Sequence, residues 1–194
     1  MLNVILANVG GSIGKSVCEV LGKLASKVPS NGAILDLNCG EGRSTLVLAA
    51  ALEAKGKDAL VMAVDTHIIN PFSETPYQEG TALKLLVNAR RFRLAHKVVP
   101  IVCAADVAGR VLGKRAANLV VVQSPKTVHS IFSADAVAQA IEVGKVALRS
   151  NGAIALVCPN PACRNEFNAI AASHFGKGYV NVVNGEDIKV FEAA

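Results

Sequence analysis

The sequence contains no tryptophan and few aromatic residues of any kind: aromatics make up 4% of the 194 residues, although 52% of the chain is hydrophobic. A core must therefore be built from Val, Ile, Leu and Ala, which is typical of parallel strands covered on both faces. The length predicts a single domain over residues 1–194, and the apolar content is ample for its core.

The chain also lacks a charged leader and an apolar run long enough to span a membrane. Its cysteines are odd in number and mostly lie in apolar runs, which fits reduced thiols in a cytoplasm and no disulfide framework. No histidine stands at zinc spacing from Cys158 and Cys163, so no metal site is predicted. The balance of 20 basic and 15 acidic residues permits a polyanionic partner without requiring one.

Apolar runs and helical stripes alternate along the chain, without a linker or repeat. Strands are predicted at Ala33–Leu37, Ala59–Asp65, Val98–Cys103, Asn118–Gln123 and Ala153–Cys158. Helices are predicted at Ser16–Lys27, Arg43–Ala54, Gln78–Leu94, Ala105–Lys114, Ser133–Arg149 and Cys163–His174. Such βαβ repetition predicts an α/β fold with a parallel sheet. Asn184-Gly185, between the runs Tyr179–Val183 and Ile188–Phe191, predicts a C-terminal antiparallel β-hairpin.

The most informative segment follows the first predicted strand, where an acid, a glycine-containing turn and a helix come in succession. It reads Ile34-Leu35-Asp36-Leu37-Asn38-Cys39-Gly40-Glu41-Gly42-Arg43-Ser44-Thr45. Glycines suit such a turn because the backbone must bend sharply and admit a ligand with no Cβ in the way. The carboxyl end of a strand in an open α/β sheet is where nucleotide-like cofactors bind.

Two features of this loop argue against a dinucleotide. The dinucleotide fingerprint needs a third glycine where Thr45 stands, and Glu41 would meet a pyrophosphate with like charge. S-adenosylmethionine carries a sulfonium and an ammonium, so acids around its loop are favourable. Asp65 ends the next apolar run at the spacing at which an acid accepts both ribose hydroxyls.

From about Ser16 to Val122 the sequence resembles a class I S-adenosylmethionine-dependent methyltransferase of the O-methyltransferase-like branch. The resemblance implies a Rossmann-like methyltransferase fold with a mostly parallel seven-stranded sheet. It also implies that Asp36 to Gly42 wrap the methionine part of the cofactor and that Asp65 holds the ribose. Asn38 departs from the usual first glycine. The implied cofactor-binding residues are Asp36, Asn38, Cys39, Gly40, Glu41, Gly42, Ser44, Thr45, Asp65, Thr66, His67, Asp106 and Gln123.

Asp106 has two readings. In the family, an acid or polar residue after the third strand bonds the adenine amino group, but an N-cap of the following helix explains Asp106 equally well. Thr66 and His67 are candidates for ribose or adenine contact, although a histidine in such a loop is more often solvated.

The sequence does not identify a catalytic residue. Catechol-type relatives place metal-binding acids after the fourth strand, and here no carboxylate stands between Gln123 and Asp135. A metal-free mechanism with His129 or Lys126 as the base stays open.

Nucleic-acid methylation has weak support. The segment Gln123-Ser124-Pro125-Lys126 offers no aromatic on which a flipped base could stack. A basic cluster could contact phosphates or complement a helix dipole; its members are Arg90, Arg91, Arg93, His96 and Lys97.

Two segments lie outside the predicted strands and helices of the core. Residues 1–15 are expected to be a flexible lead-in, because Val9 stands where a phosphate-binding loop ending Gly14-Lys15-Ser16 would need glycine. The irregular segment 68–80 is expected to cover the cofactor cleft as an acceptor pocket or lid, or to pack against a partner subunit in a homodimer.

Methyl transfer to a small-molecule acceptor is the leading hypothesis. The alternative is a non-catalytic protein of this fold that binds a protein or nucleic-acid partner.

Overall fold

Strands and helices alternate through the computed structural model of this chain, which describes residues 1–66, 81–124, 134–176 and 178–193. The strands are β1 (Ala33–Leu37), β2 (Leu60–Asp65), β3 (Val98–Val102), β4 (Ala117–Gln123), β5 (Leu148–Val157), β6 (Tyr179–Asn184) and β7 (Ile188–Ala193). The α-helices are α1 (Leu2–Asn8), α2 (Lys15–Lys27), α3 (Arg43–Ala54), α4 (Thr81–Arg91), α5 (Ala105–Leu112), α6 (Ala134–Ala147) and α7 (Arg164–His174). Short 3₁₀ helices cover Ala95–Lys97 and Pro161–Cys163.

The strands form one sheet in the order β3-β2-β1-β4-β5-β7-β6. Strands β1 to β5 pair in parallel, and β7 runs antiparallel to both β5 and β6. The predicted α/β class, the mostly parallel seven-stranded sheet and the terminal hairpin are therefore confirmed. Strand β1 lies between β2 and β4, where the strand order reverses, and ligands of such folds bind in the crevice at this point.

Helices cover both faces of the sheet, and its apolar strands pack against them on each side, as the shortage of aromatics predicts. Ile34 of β1 belongs to a core cluster shared with α1, α2, α3 and α4. Its neighbour Leu35 belongs to a second cluster shared with α5, α6 and α7. Alternate residues of a strand point to opposite faces, so a strand buried between two helical layers must be apolar throughout.

The expectation of a flexible lead-in is wrong. Residues 2–8 form helix α1, and the side chains of Ile5 and Ile13 are 0% and 1% exposed. Helix α2 begins at Lys15, one residue earlier than predicted. A seven-residue helix is marginal in isolation, so contacts with the rest of the chain must hold α1 in place.

Smaller differences lie at the ends of elements. Strand β5 begins at Leu148, which pairs with Ala117 of β4, and a register shift separates this pair from the next one, Leu119 with Ala153. Helix α5 ends at Leu112, where Gly113 takes a φ of +75°. The hairpin loop holds three residues, with the Gly185 N–H donating to the Ile188 carbonyl at 2.9 Å.

Several expectations concern residues outside the described ranges, namely His67, Lys126, His129 and the segment 68–80. Within the described part of the chain, none of the helices is long and apolar enough to cross a membrane.

Candidate functional site

The loop between β1 and α3 has a backbone that few residue types tolerate. Asn38, Gly40 and Gly42 take φ angles of +61°, +57° and +91°. Asparagine is one of the few side chains found in this left-handed region, and the Asn38 Nδ2 donates to the Gln123 carbonyl at 2.9 Å. The Gly42 carbonyl accepts from the Leu46 N–H at 2.8 Å, so the turn leads directly into α3.

A fully buried carboxyl group lies beneath the loop. The Ser44 Oγ and Thr45 Oγ1 each donate to the Asp36 Oδ2 at 2.7 Å, and the Gln123 Nε2 donates to the Oδ1 at 3.0 Å. The same Gln123 Nε2 also donates to the Ser44 Oγ at 2.7 Å. Burial raises the pKa of Asp36 to about 6, although the three donors favour the ionised form. These four side chains connect β1, α3 and β4.

The acid that ends β2 holds the outer part of the loop. The Gly40 N–H donates to the Asp65 Oδ2 at 2.9 Å, and the Cys39 N–H donates to the Val64 carbonyl at 3.2 Å. Gly40, which follows β1, and Asp65, which ends β2, are both predicted to bind the cofactor, and they are in direct contact. Thr66, the next residue, is exposed.

Glu41 contacts two segments distant in sequence. Its Oε1 lies 3.1 Å from the Lys84 Nζ of α4. A Cβ built on Gly10 would lie 2.1 Å from the Glu41 Oε2, so this carboxylate is packed against the backbone of the α1–α2 connection.

Arg43, the first residue of α3, donates hydrogen bonds to the backbone of α1 and of the α1–α2 connection. Its Nη2 and Nε donate to the Val9 carbonyl at 2.6 Å and 2.8 Å, and its Nη1 donates to the Ile13 carbonyl at 3.1 Å. A phosphate-binding loop presents N–H groups to an anion. The segment ending Gly14-Lys15-Ser16 presents carbonyl oxygens to a cation, which is the opposite polarity, and this agrees with the rejection of the phosphate-loop reading.

We predict that Arg43→Ala lowers the free energy of unfolding by about 2–4 kcal/mol, because hydrogen bonds to a charged donor contribute more than neutral ones and several are lost together. Limited proteolysis should then cleave within residues 1–13 faster than in the wild type. Chemical denaturation of Arg43→Lys is the control, since the lysine keeps the charge but loses the planar fork. Unchanged protease resistance in Arg43→Ala would show that packing alone holds α1.

The loop has the chemistry that a cationic, nucleoside-like ligand needs. Three acids, Asp36, Glu41 and Asp65, contribute to the loop and its supports. A Cβ on Gly40 would meet nothing within 4 Å, whereas Gly42 is packed against Leu85. Gly40 is therefore the glycine whose open side admits a ligand. Burial, followed by the Asp36 and Asp65 charges, raises the pKa of Cys39 well above its usual value, so Cys39 is a neutral thiol.

The N-cap reading of Asp106 is wrong, because the N-cap of α5 is Ala104 and Asp106 lies in the first turn of the helix. Burial and, to a lesser degree, the Asp106 charge raise the pKa of Cys103, which places Asp106 near the end of β3. Its adenine contact stays a prediction.

The basic cluster at the end of α4 is partly engaged in packing. The Arg91 Nη2 donates to the Asn8 Oδ1 at 2.8 Å, and the His96 Nε2 lies 3.0 Å from the Glu53 Oε2. Lys97 is 6% exposed and lies 3.8 Å from the same carboxylate. These contacts favour a structural role for the cluster over phosphate binding.

Sequence reasoning missed Arg43, Lys84 and Leu85 as parts of this site. A signal for Arg43 is present, because a cation in the first turn of a helix opposes the helix dipole and so requires a specific partner. Lys84 and Leu85 carry no such signal, since their partners are about forty residues away in sequence.

Neither a protein-family model nor a curated protein matches the sequence. Solved structures match its fold. A candidate rRNA methylase from Clostridium thermocellum has a TM-score of 0.69 and 16% identity, over 94% of this chain and 99% of that chain. A candidate methyltransferase from Streptococcus mutans, crystallised with S-adenosylhomocysteine, has a TM-score of 0.66 and 14% identity, with the same coverages of 94% and 99%.

A third match is a SAM-dependent O-methyltransferase from Thermotoga maritima, with a TM-score of 0.61 and 16% identity over 93% of this chain and 65% of that chain. At these identities the matches show the fold. The chain has the Rossmann-like fold of these methyltransferases, which confirms the fold implied by the resemblance.

Proposed function

We propose that the protein binds S-adenosylmethionine at the loop 38–42 and transfers its methyl group to a small-molecule acceptor. The observation that carries the proposal is the bond from the Gly40 N–H to the Asp65 Oδ2, which joins the glycine loop after β1 to the acid after β2. This pairing of a left-handed glycine turn with a ribose-binding acid lies at the switch point of the sheet.

The chain's residues suit the charge and shape of that cofactor. The Gly40 N–H orients the Asp65 carboxylate, and a carboxylate is the acceptor that suits ribose hydroxyls. Gly40 leaves space for the methionine portion, and Glu41 adds negative charge on the same loop. The buried Asp36 acts indirectly. It accepts hydrogen bonds from the side chains of Ser44, Thr45 and Gln123, and these bonds fix the turn.

When bound, S-adenosylmethionine would supply an electrophilic methyl group through its methyl–sulfur bond. The protein must then orient the acceptor in line with that bond and take up the proton that the acceptor loses. We assign Asp65 and the loop to binding and orientation. None of the described residues is assigned as the base.

Calorimetric titration with S-adenosylhomocysteine and S-adenosylmethionine tests the binding step. We expect the wild type to bind with a Kd of about 1–100 μM, and Asp65→Ala to bind at least about 100-fold more weakly, because it loses charged hydrogen bonds to the ribose. Asp65→Asn keeps an acceptor oxygen for the Gly40 N–H but loses the charge, so its affinity should fall between the two.

Asp58→Ala is the matched control, because Asp58 is an exposed acid just before the opposite end of the same strand. Its affinity should equal that of the wild type. The absence of heat with either ligand in the folded wild type would overturn the proposal, and so would full affinity in Asp65→Ala.

Partner binding without catalysis is the second candidate function. Leu83, Leu86 and Val87 are 50%, 44% and 55% exposed at the i, i+3 and i+4 positions of α4, so one helical face is apolar and open. A second copy of the chain or another protein could cover this face. Sedimentation of the wild type and of Leu86→Asp tests the homodimer: a dimer in the wild type that dissociates in the variant supports it, and a monomer in both excludes it.

The free state of all five cysteines suits a reducing cytoplasm, where we propose the protein acts.

A further inference from the structure

A pocket of about 310 Å³ lies at the edge of the sheet opposite the glycine loop. Strands β4 and β5 begin there, whereas β1 ends at the loop, so the length of a strand, about 20 Å for β4, separates the two regions. The polar side chains lining the pocket come from the α5–β4 turn, α6, β5 and β6: Lys114, Arg115, Lys145, Arg149, Ser150 and Tyr179.

The charge of this lining is all of one sign. Four of the six polar side chains are cationic, and none of the lining residues that the structure describes is acidic. Lys145 lies 3.0 Å from the Glu142 Oε1, a carboxylate that also contacts the His174 Nδ1 at 2.7 Å. Among the ion pairs of the described residues, none involves Lys114, Arg115 or Arg149. Converging cations repel one another unless an anion lies between them.

The two arginines are held in place by the backbone. Arg115 has a φ of +58°, a conformation in which a residue other than glycine is strained. Its N–H donates to the Val146 carbonyl at 3.1 Å, and its own carbonyl accepts from the Arg149 Nε at 3.2 Å. The side chains of Arg115 and Arg149 thus start from a fixed turn, which reduces the entropy lost when they bind a ligand.

Helix dipoles explain only part of this cluster. Helices α5 and α6 both end nearby, and cations are favourable at helix C-termini. Lys145, in the last turn of α6, is explained in this way. The Val146 carbonyl is instead satisfied by the Arg115 backbone N–H, so the guanidinium groups of Arg115 and Arg149 are not needed there.

We propose that this pocket binds a diphosphate group, at a site separate from the cofactor loop. Arginine forks bind phosphate oxygens in pairs, and lysines add point charges. The Ser150 and Tyr179 hydroxyls supply further donors from the same lining. A volume of about 310 Å³ suits a small anion, either free diphosphate or the diphosphate of a nucleotide.

Calorimetric titration of the full chain with sodium pyrophosphate in low-salt buffer, and then with ADP, tests the site. We expect saturable binding of pyrophosphate with a Kd below about 1 mM. The double variant Lys114→Ala/Arg149→Ala should weaken it by at least about tenfold. Equal affinity for both probes would identify free diphosphate as the ligand, and tighter binding of ADP would identify a nucleotide.

Lys15→Ala/Lys23→Ala is the control pair, because it removes the same charge from exposed positions on α2. Its affinity should stay within about twofold of the wild type. Arg149→Lys, which keeps the charge and loses the fork, should show an intermediate affinity and guards against a misfolded double variant. The proposal is overturned by unsaturable heats, by equal losses in both double variants, or by displacement of pyrophosphate on adding S-adenosylhomocysteine.

Discussion

Gly42→Ala is expected to lower the free energy of unfolding by about 2–5 kcal/mol, as measured by urea denaturation. Two costs add. Gly42 has a φ of +91°, where a Cβ costs about 1–2 kcal/mol. That Cβ would also lie 2.3 Å from the Leu85 Cδ1, and Leu85 is 0% exposed, so repacking adds about 1–3 kcal/mol.

Gly40→Ala is the matched control, because it has the same backbone strain without the clash. Its φ is +57° and its Cβ would meet nothing within 4 Å, so the expected loss is only about 1 kcal/mol. Its affinity for S-adenosylhomocysteine should nevertheless fall, since the new methyl group projects into the space assigned to the ligand. Equal destabilisation by the two variants would contradict the packing argument. Unchanged affinity in Gly40→Ala would show that the ligand does not bind on this side of the loop.

Elements with regular local patterns could be predicted from the sequence. Strand Ala33–Leu37 and helix Arg43–Ala54 have the predicted bounds, because turn residues delimit them on both sides. Helix α1 could not be predicted, since seven residues hold too little periodicity. Four hydrogen bonds to α1 and the segment after it come from Arg43, a residue 30 to 37 positions away, and another comes from Arg91.

The candidate site was predictable in its location and less so in its internal contacts. Asp36 and Asp65 were located from their positions after apolar runs, which any parallel sheet brings to one edge. The partner of Asp36 on β4, Gln123, lies 87 residues further along the chain. Only the pairing of β1 beside β4 brings the two together, and it places the buried Asp36 carboxyl group beneath the loop as a support.

The remaining large effect is the pH dependence that Asp36 imposes on stability. Its pKa is about 6 in the folded protein, whereas an unfolded Asp titrates near 3.9. Between these values the folded state binds more protons than the unfolded state, so this group makes stability fall as the pH rises from about 4 to about 6. The loss is complete above about pH 7, and two pKa units correspond to about 3 kcal/mol.

Urea denaturation of the wild type and of Asp36→Asn at pH 4.5 and pH 8 measures this effect. The amide does not titrate, so the free energy of unfolding of the wild type minus that of Asp36→Asn should be larger at pH 4.5 than at pH 8, by about 2 kcal/mol, since about 1 kcal/mol of the effect is already lost at pH 4.5. The direct cost of the amide, whose nitrogen cannot accept a hydrogen bond at one of the two former oxygen positions, is the same at either pH and cancels in the comparison.

Ser44→Ala separates the effect of burial from that of the donors. The Ser44 hydroxyl donates to the Asp36 Oδ2 and so favours the charged carboxylate, and its loss should raise the pKa of Asp36 further. Stability should therefore fall more steeply with rising pH in Ser44→Ala than in the wild type. Parallel pH profiles for the wild type and Asp36→Asn would mean that Asp36 is ionised throughout this range, because the donors then outweigh burial and the buried support beneath the loop carries a permanent negative charge.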